Sequence, residues 1–306
     1  MPAETVAVIG LGSMGLGMAR SLLRSGARVA GCDIDAGAVS RLREAGGDAA
    51  TDPAAAADGA GVALIVVVNA AQTEAVLFGE RGAAAAMPAG GVVVSSATMS
   101  PQDARALAAR CEAAGLHYLD APMSGGATRA AEGALTIMAS GTPAAFARAR
   151  PVLAAIAGTV YELGDEAGIG ASFKIVNQLL AGVHIAAACE AITLAKRLGL
   201  DIARVYEVIT ASAGNSWMFE NRIPHVLDGD YTPRSAVDIF TKDLGIVSDI
   251  GRQHKFPMPI AASAMQMFLM TAAAGMGRDD DASVARLIAQ VTGLDLPGVT
   301  PAPGSR

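Results

Sequence analysis

By the spacing of their apolar positions, the 306 residues fall into two unlike parts. Up to Gly164, short runs rich in valine, isoleucine and leucine alternate with alanine-rich stretches of helical period. Thr5–Ile9, Arg28–Cys32, Val62–Val68, Gly91–Val94, His117–Leu119, Ala134–Ala139 and Thr159–Tyr161 have the length and side chains of strands. Met18–Leu23, Thr73–Phe78, Pro101–Ala114 and Pro143–Ile156 read as helices between them. Such alternation predicts an α/β domain with a doubly wound, mostly parallel sheet, which meets its ligands at the carboxyl ends of the strands. From Gly168 to about Gly293 the period is helical and no segment reads as a strand, so an all-α C-terminal domain is predicted.

The two parts join in one proline-free run, Gly168 to Leu198, which predicts a long interdomain helix of about 45 Å at about 1.5 Å per residue. The implied boundaries are 1–166 for the first domain, 167–198 for the helix, 199–296 for the helical domain and 297–306 for a flexible Pro/Gly-rich tail. Asn177 and Gln178 follow Lys174 by three and four positions and share its face, while Ile175, Val176, Leu179, Leu180 and Val183 fill the opposite side. A cation and two amides on a buried face cost free energy unless something polar meets them. The alternative is a solvated stripe on an amphipathic helix. Further on, Trp217 is predicted to pack between helices, Asp230–Ser235 to form a loop and Val237–Leu244 to resume a helix.

The first strand ends in Gly10-Leu11-Gly12-Ser13-Met14-Gly15, and a helix follows. In that context the first glycine permits a tight turn, the second lets backbone approach a pyrophosphate, and the third lets helix pack on strand, with the helix N-terminus facing the phosphates. The next strand ends at Asp33, where a carboxylate can accept from both ribose hydroxyls of NAD and would repel a 2′-phosphate. These features together predict a Rossmann-type domain that binds NAD in preference to NADP. As a bare turn residue, Asp33 would carry no such meaning. Asn69 and Ser95-Ser96-Ala97-Thr98 follow later strands and point towards the cofactor, unless they are ordinary loop and cap residues. Ser124-Gly125-Gly126 offers a hydroxyl and unshielded amides suited to a carboxylate, or else a plain glycine turn.

Composition narrows the partners. Aromatics make up only 4% and the net charge is −6, which argues against nucleic acid. Cys32, Cys111 and Cys189 are odd in number and in no metal-ligand spacing, so reduced thiols and no metal are expected, in a cytoplasmic protein. No signal-peptide pattern opens the chain. No membrane span is expected either, since Asn177, Gln178, His184 and Glu190 interrupt Ile175–Ala195.

Taken in order, these segments resemble the β-hydroxyacid dehydrogenases, a family that includes 3-hydroxyisobutyrate dehydrogenase and tartronate semialdehyde reductase. Gly10–Gly15 is similar to the cofactor loop, Asp120-Ala-Pro-Met-Ser-Gly-Gly126 to the substrate-binding signature, Gly168-Ile-Gly-Ala-Ser-Phe-Lys174-Ile-Val-Asn177 to the catalytic signature and Lys242-Asp243-Leu244 to the late cofactor-side motif. The resemblance implies an NAD-dependent oxidation of a small hydroxy acid. Lys174 would be the catalytic lysine, Ser124, Gly125 and Gly126 would hold the substrate carboxylate, and Thr98 and Lys242 would bind the cofactor. It also implies a homo-oligomer, dimer or tetramer. Many members have two asparagines where this chain has Asn177 and Gln178, so both amides are expected to orient the substrate, the longer one reaching further. Gln178–His184 and Ala213–Asn221 are most similar to the L-threonate dehydrogenase subgroup. The other readings are 3-hydroxyisobutyrate oxidation, tartronate semialdehyde reduction and a non-catalytic dinucleotide-binding scaffold. Intact Lys174, Ser124 and Asn177 speak against the scaffold.

Overall fold

The computed structural model describes residues 5–299. The chain divides into two compact units, Met1–Ile175 and Val176–Arg306.

In the first unit, six short strands form one parallel sheet: β1 (Thr5–Ile9), β2 (Arg28–Cys32), β3 (Asp48–Ala49), β4 (Val62–Ile65), β5 (Val92–Ser95) and β6 (His117–Asp120), in the order β3-β2-β1-β4-β5-β6. Its pleat sorts side chains by turns. Val6, Val8, Val62, Leu64, Val92 and Val94 enter one apolar cluster, and Ala7, Ile9, Ala63, Ile65 and Val93 enter the other. Both faces are therefore covered, as parallel sheets require, and the strands read as unbroken apolar runs. The connecting helices are α1 (Ser13–Arg24), α2 (Ala36–Glu44), α3 (Pro53–Ala57), α4 (Ala70–Phe78) and α5 (Pro101–Ala113).

A second, three-stranded sheet holds β7 (Met123–Ser124), β8 (Leu135–Ala139) and β9 (Ala157–Glu162), with α6 (Gly126–Glu132) and α7 (Pro143–Ile156) between them. β7 runs antiparallel to β8, and β9 parallel to it. The backbones of Asp120 and Ser140 pair across the two sheets, with N–H to O distances of 3.0 and 2.8 Å.

Several sequence-based bounds shift for physical reasons. The strand expected over Val62–Val68 stops at Ile65, because its neighbour β1 ends at Ile9, the partner of Ile65. β3 and β7 have two residues each, too short for any periodicity to show. The helix α6 begins inside the run of glycines that reads as a turn.

The long helix, α8, spans Ile169–Arg197, 29 residues. Its Ala171 belongs to a core cluster of the first unit, and the two units divide within it, after Ile175. By length and composition alone it could cross a membrane, as could Pro259–Met276. Yet α8 carries the polar side chains Lys174, Gln178 and Thr193 on a buried face, while Phe173, Val176, Leu180 and Leu194 are exposed.

The second unit continues with α9 (Ile202–Thr210), α10 (Trp217–Asp228), α11 (Val237–Gln253), α12 (Pro259–Thr271) and α13 (Ser283–Thr292), and no strand occurs there among the described residues. Phe240 and Phe268 stack at 5.1 Å in its core. Two buried contacts tie α10 to the turn before α13: an ion pair from Arg222 Nε to Asp281 Oδ1 at 2.6 Å and a hydrogen bond between His225 Nδ1 and Asp280 Oδ1 at 2.8 Å. Trp217 does not fill the predicted place between helices. It is the first residue of α10 and 44% exposed, while Phe219, two residues on, takes the buried position and stacks on Tyr206. Nor does the tail come free at residue 297. Leu296 and Val299 are buried, Tyr231 donates to the Pro297 carbonyl at 3.4 Å, and Gly298 lies backbone to backbone against Gly229. The remainder of the expected tail, residues 300–306, lies outside the described residues. The three cysteines are buried free thiols.

Candidate active site

Strand register gathers most of the candidate residues. Ile9 pairs with Cys32 and Ile65, Ile65 with Ser95, and Ser95 with Asp120, so five strands end in one row. The glycine loop, Asp33, Asn69, Thr98 and Ser124 follow these five strand ends in turn, at the carboxyl edge where such sheets bind ligands.

Each glycine of the loop has its own reason. Gly10 has φ +94°, and a Cβ there would lie 2.4 Å from the Val66 carbonyl oxygen. At Gly15 a Cβ would meet the Gly10 carbonyl at 1.9 Å, so helix and turn can touch only without a side chain. Beside Gly12 the space is open, and this residue caps α1 with no side-chain hydrogen bond and no acid in the first turn. Open space before an uncapped helix N-terminus is what a pyrophosphate needs, so the loop fits a dinucleotide. Exposed Ser13 and half-buried Met14 form that first turn, while Leu11 is buried beneath it. Asp33 is more than a turn residue: its Oδ2 accepts from the Leu11 N–H at 2.5 Å and its Oδ1 from Asp35 N–H at 2.8 Å. The loop and the Asp33 carboxylate are thereby locked together.

Asn69 takes up a structural task. Its Oδ1 accepts from Gln72 N–H at 2.8 Å and caps α4. Thr98 is half-buried, three residues beyond β5.

On the substrate side, Gly125 and Gly126 have φ values of +133° and +75°, which favour glycine, and nothing occupies the space a Cβ would take at Gly126. One residue before Ser124, the Met123 carbonyl accepts from Lys174 Nζ at 2.7 Å. Lys174 is 8% exposed. The lysine and the serine-glycine loop are thus fastened to each other within the first unit.

The second unit holds the other candidates. Asn177 Nδ2 donates to Gln178 Oε1 at 2.9 Å, and Gln178 Nε2 donates to Asp243 Oδ2 at 2.5 Å. Lys242 Nζ lies 2.5 Å from Asp243 Oδ1. Gln178, 6% exposed, thus meets protein at both ends of its amide.

Sequence reasoning gives Asp120, Ser140 and Asp243 no role of their own. The buried Asp120 carboxylate accepts from the N–H groups of Gly168 at 2.9 Å and Ala171 at 2.8 Å, and Ser140 Oγ accepts from Gly170 N–H at 2.9 Å. These bonds satisfy amides at the start of α8, one turn before Lys174. Burial raises the Asp120 carboxyl from its ordinary 3.8 to about 6, although the two backbone N–H groups and the Ser140 hydroxyl oppose the rise. An acid at the head of the substrate-binding signature is the available sign, but its partners lie 48 and 51 residues away. Among the described residues there is no metal-binding cluster of His, Cys, Asp and Glu.

Known proteins are similar to this chain over nearly its whole length. The family profile described as the NAD binding domain of 6-phosphogluconate dehydrogenase matches residues 5–164. A second, described as NAD-binding of NADP-dependent 3-hydroxyisobutyrate dehydrogenase, matches residues 168–288. The chain is 55% identical over 296 residues to an L-threonate dehydrogenase of Cupriavidus necator, covering 97% of this chain and 99% of the relative. It is 49% identical over 294 residues to the L-threonate dehydrogenase of Escherichia coli K12, covering 96% of each. The crystal structure of a 3-hydroxyisobutyrate dehydrogenase from Salmonella typhimurium is similar with a TM-score of 0.89 at 50% identity, over 93% of this chain and 99% of that one. With its glycine loop, its lysine helix and these relatives together, the chain belongs to the β-hydroxyacid dehydrogenases of the 3-hydroxyisobutyrate dehydrogenase type and is a nicotinamide-dinucleotide-dependent hydroxyacid dehydrogenase.

Proposed function

We propose that the enzyme oxidises L-threonate with NAD at the hydroxyl next to the carboxylate, with Lys174 as general base. The observation that supports the reading is the bond from Lys174 Nζ to the carbonyl of Met123, the residue before Ser124. The hydroxyl of Ser124 and the amides of Gly125 and Gly126 hold the carboxylate, and Lys174 takes the proton of the neighbouring hydroxyl. The glycine loop, with Asp33 on the ribose and Asn69, Thr98 and Lys242 as further contacts, would hold the dinucleotide, which would supply the hydride acceptor. In reverse, Lys174 returns the proton. Donation to Met123 fixes the nitrogen in either protonation state. Asn177, half-buried one turn along α8, holds a second hydroxyl. A polar side chain there suits a polyhydroxy acid better than one bearing a methyl group, as in 3-hydroxyisobutyrate. NAD is favoured because a 2′-phosphate would meet both Asp33 and Asp35.

The test replaces Lys174 with Met and measures dinucleotide binding and turnover separately, with NAD and NADP and a panel of hydroxy acids. Turnover should fall about 10²–10⁴-fold with binding kept. Substantial turnover in the loaded variant would remove Lys174 from the base role, and faster reaction with 3-hydroxyisobutyrate than with threonate would overturn the substrate assignment.

We also propose a cytoplasmic dimer or tetramer. Phe173, Val176, Leu180 and Leu194 are exposed along α8 and form the kind of apolar stripe a second copy covers. Sedimentation of a monomer at micromolar concentration would refute it.

A further inference from the structure

A carboxylate paired with an ammonium can only accept hydrogen bonds, so a chain of amides that begins on one has its direction fixed from that end. Asp243 is such an origin. It is 1% exposed, with Lys242 Nζ at one oxygen and Gln178 Nε2 at the other, each at 2.5 Å. Because Asp243 takes the amino end of Gln178, Oε1 must face the other way. There it accepts from Asn177 Nδ2 at 2.9 Å. Asn177 in turn is left presenting its carbonyl oxygen.

We infer that Asp243 and Gln178 are positioning residues that fix the Asn177 carboxamide with its oxygen outward, so that this subsite selects a substrate hydroxyl able to donate. The inference rests on the reading of Asn177 as a substrate contact. It assigns Gln178 an indirect part in place of the direct substrate contact expected from the sequence: its amide is spent on Asp243 and Asn177, and its effect on substrate choice passes through the shorter amide. On that reading Asn177, three positions after Lys174 on α8, takes the hydroxyl on the carbon next to the one oxidised. An analogue with an acceptor alone on that carbon, such as fluorine, would set it against the Asn177 oxygen, whereas the hydroxyl donates.

Asp243→Asn tests this with little change of shape. Lys242 can only donate, so it holds the oxygen of the new amide and turns the amino end to Gln178. Gln178 and then Asn177 must reverse, and Asn177 presents N–H. The readout is the ratio of kcat/KM for L-threonate to that for its 3-deoxy-3-fluoro analogue at saturating NAD, where effects on the cofactor cancel. In the native enzyme the ratio should favour threonate by at least about tenfold, the cost of one unpaired polar contact. In Asp243→Asn it should fall severalfold or invert. Gln178→Met, which cuts the chain without reversing it, should lie between. Thermal unfolding of each variant checks the fold, and Gln178→Met serves if Asp243→Asn does not fold. A ratio unchanged in the folded variants shows that the chain is a structural tie only and overturns the inference. Asn177→Leu separates the two readings: if it alters the ratio while the other variants do not, only the inference falls. If it too leaves the ratio unchanged, Asn177 is no substrate contact and both fall.

Discussion

Asp120 holds the start of the lysine helix at an electrostatic cost that can be measured. Its carboxyl is raised to about 6 by burial, against an ordinary value of 3.8. Between those two pH values the folded chain keeps a proton that the unfolded chain has released, so this group makes stability fall as pH rises. Above about pH 6 the fall is complete. At about 1.4 kcal/mol per pH unit it amounts to about 3 kcal/mol. Asp120→Asn keeps an oxygen able to accept from Gly168 and Ala171 N–H and removes the charge. The variant should therefore equal the native chain near pH 4 and exceed it by about 1–3 kcal/mol at pH 7. Asp120→Ala removes the acceptor as well. It should stay below the Asn variant by about 2–6 kcal/mol at every pH, at about 1–3 kcal/mol for each of two orphaned amides. The assay is urea unfolding from pH 4 to 7.5 followed by circular dichroism, since Trp217 fluorescence would report on the second unit. Taking the difference between variant and native chain at each pH cancels every other titrating group. A difference that does not change with pH, or an Asn variant less stable than the native chain at pH 7, would refute the reasoning.

Other substitutions probe the remaining supports. Arg222→Met leaves the fully buried Asp281 without its partner and should cost about 3–5 kcal/mol in denaturant unfolding. Burial and neighbouring Asp280 already raise Asp281 to about 6 against the pull of Arg222. Losing that pull raises it further, so the deficit of the variant should deepen as pH rises through 6 and beyond. In the glycine loop, Gly10→Ala forces a left-handed backbone and a 2.4 Å contact, and should lower stability and dinucleotide affinity together. Gly12→Ala meets only open space in the fold, so its thermal unfolding should match the native chain while titration calorimetry shows weakened NAD binding.

How much of this is legible in the chain depends on how far each signal reaches. Alternate residues of β1 enter opposite clusters, and its neighbours repeat the pattern, so local periodicity is enough to reveal the sheet. The glycine loop is equally local, because Gly10 and Gly15 meet within five residues of each other. Lys174 and Asn177 are legible for the same reason, one helical turn apart. What escapes is the long-range half of each arrangement. Asp120 finds its partners 48 and 51 residues on, and Gln178 finds Asp243 across 65. A polar residue read alone does not disclose its bonds: Gln178 ties to Asp243, and Asn69 caps a helix. Trp217 fails in the opposite sense, since size marks it for a core that Phe219 fills instead. The residues that touch a ligand are announced by type and local spacing. Bonds between distant segments are fixed by where the fold brings them together, as Asp120 meets Gly168 and Ala171 in one unit and Asp243 meets Gln178 in the other.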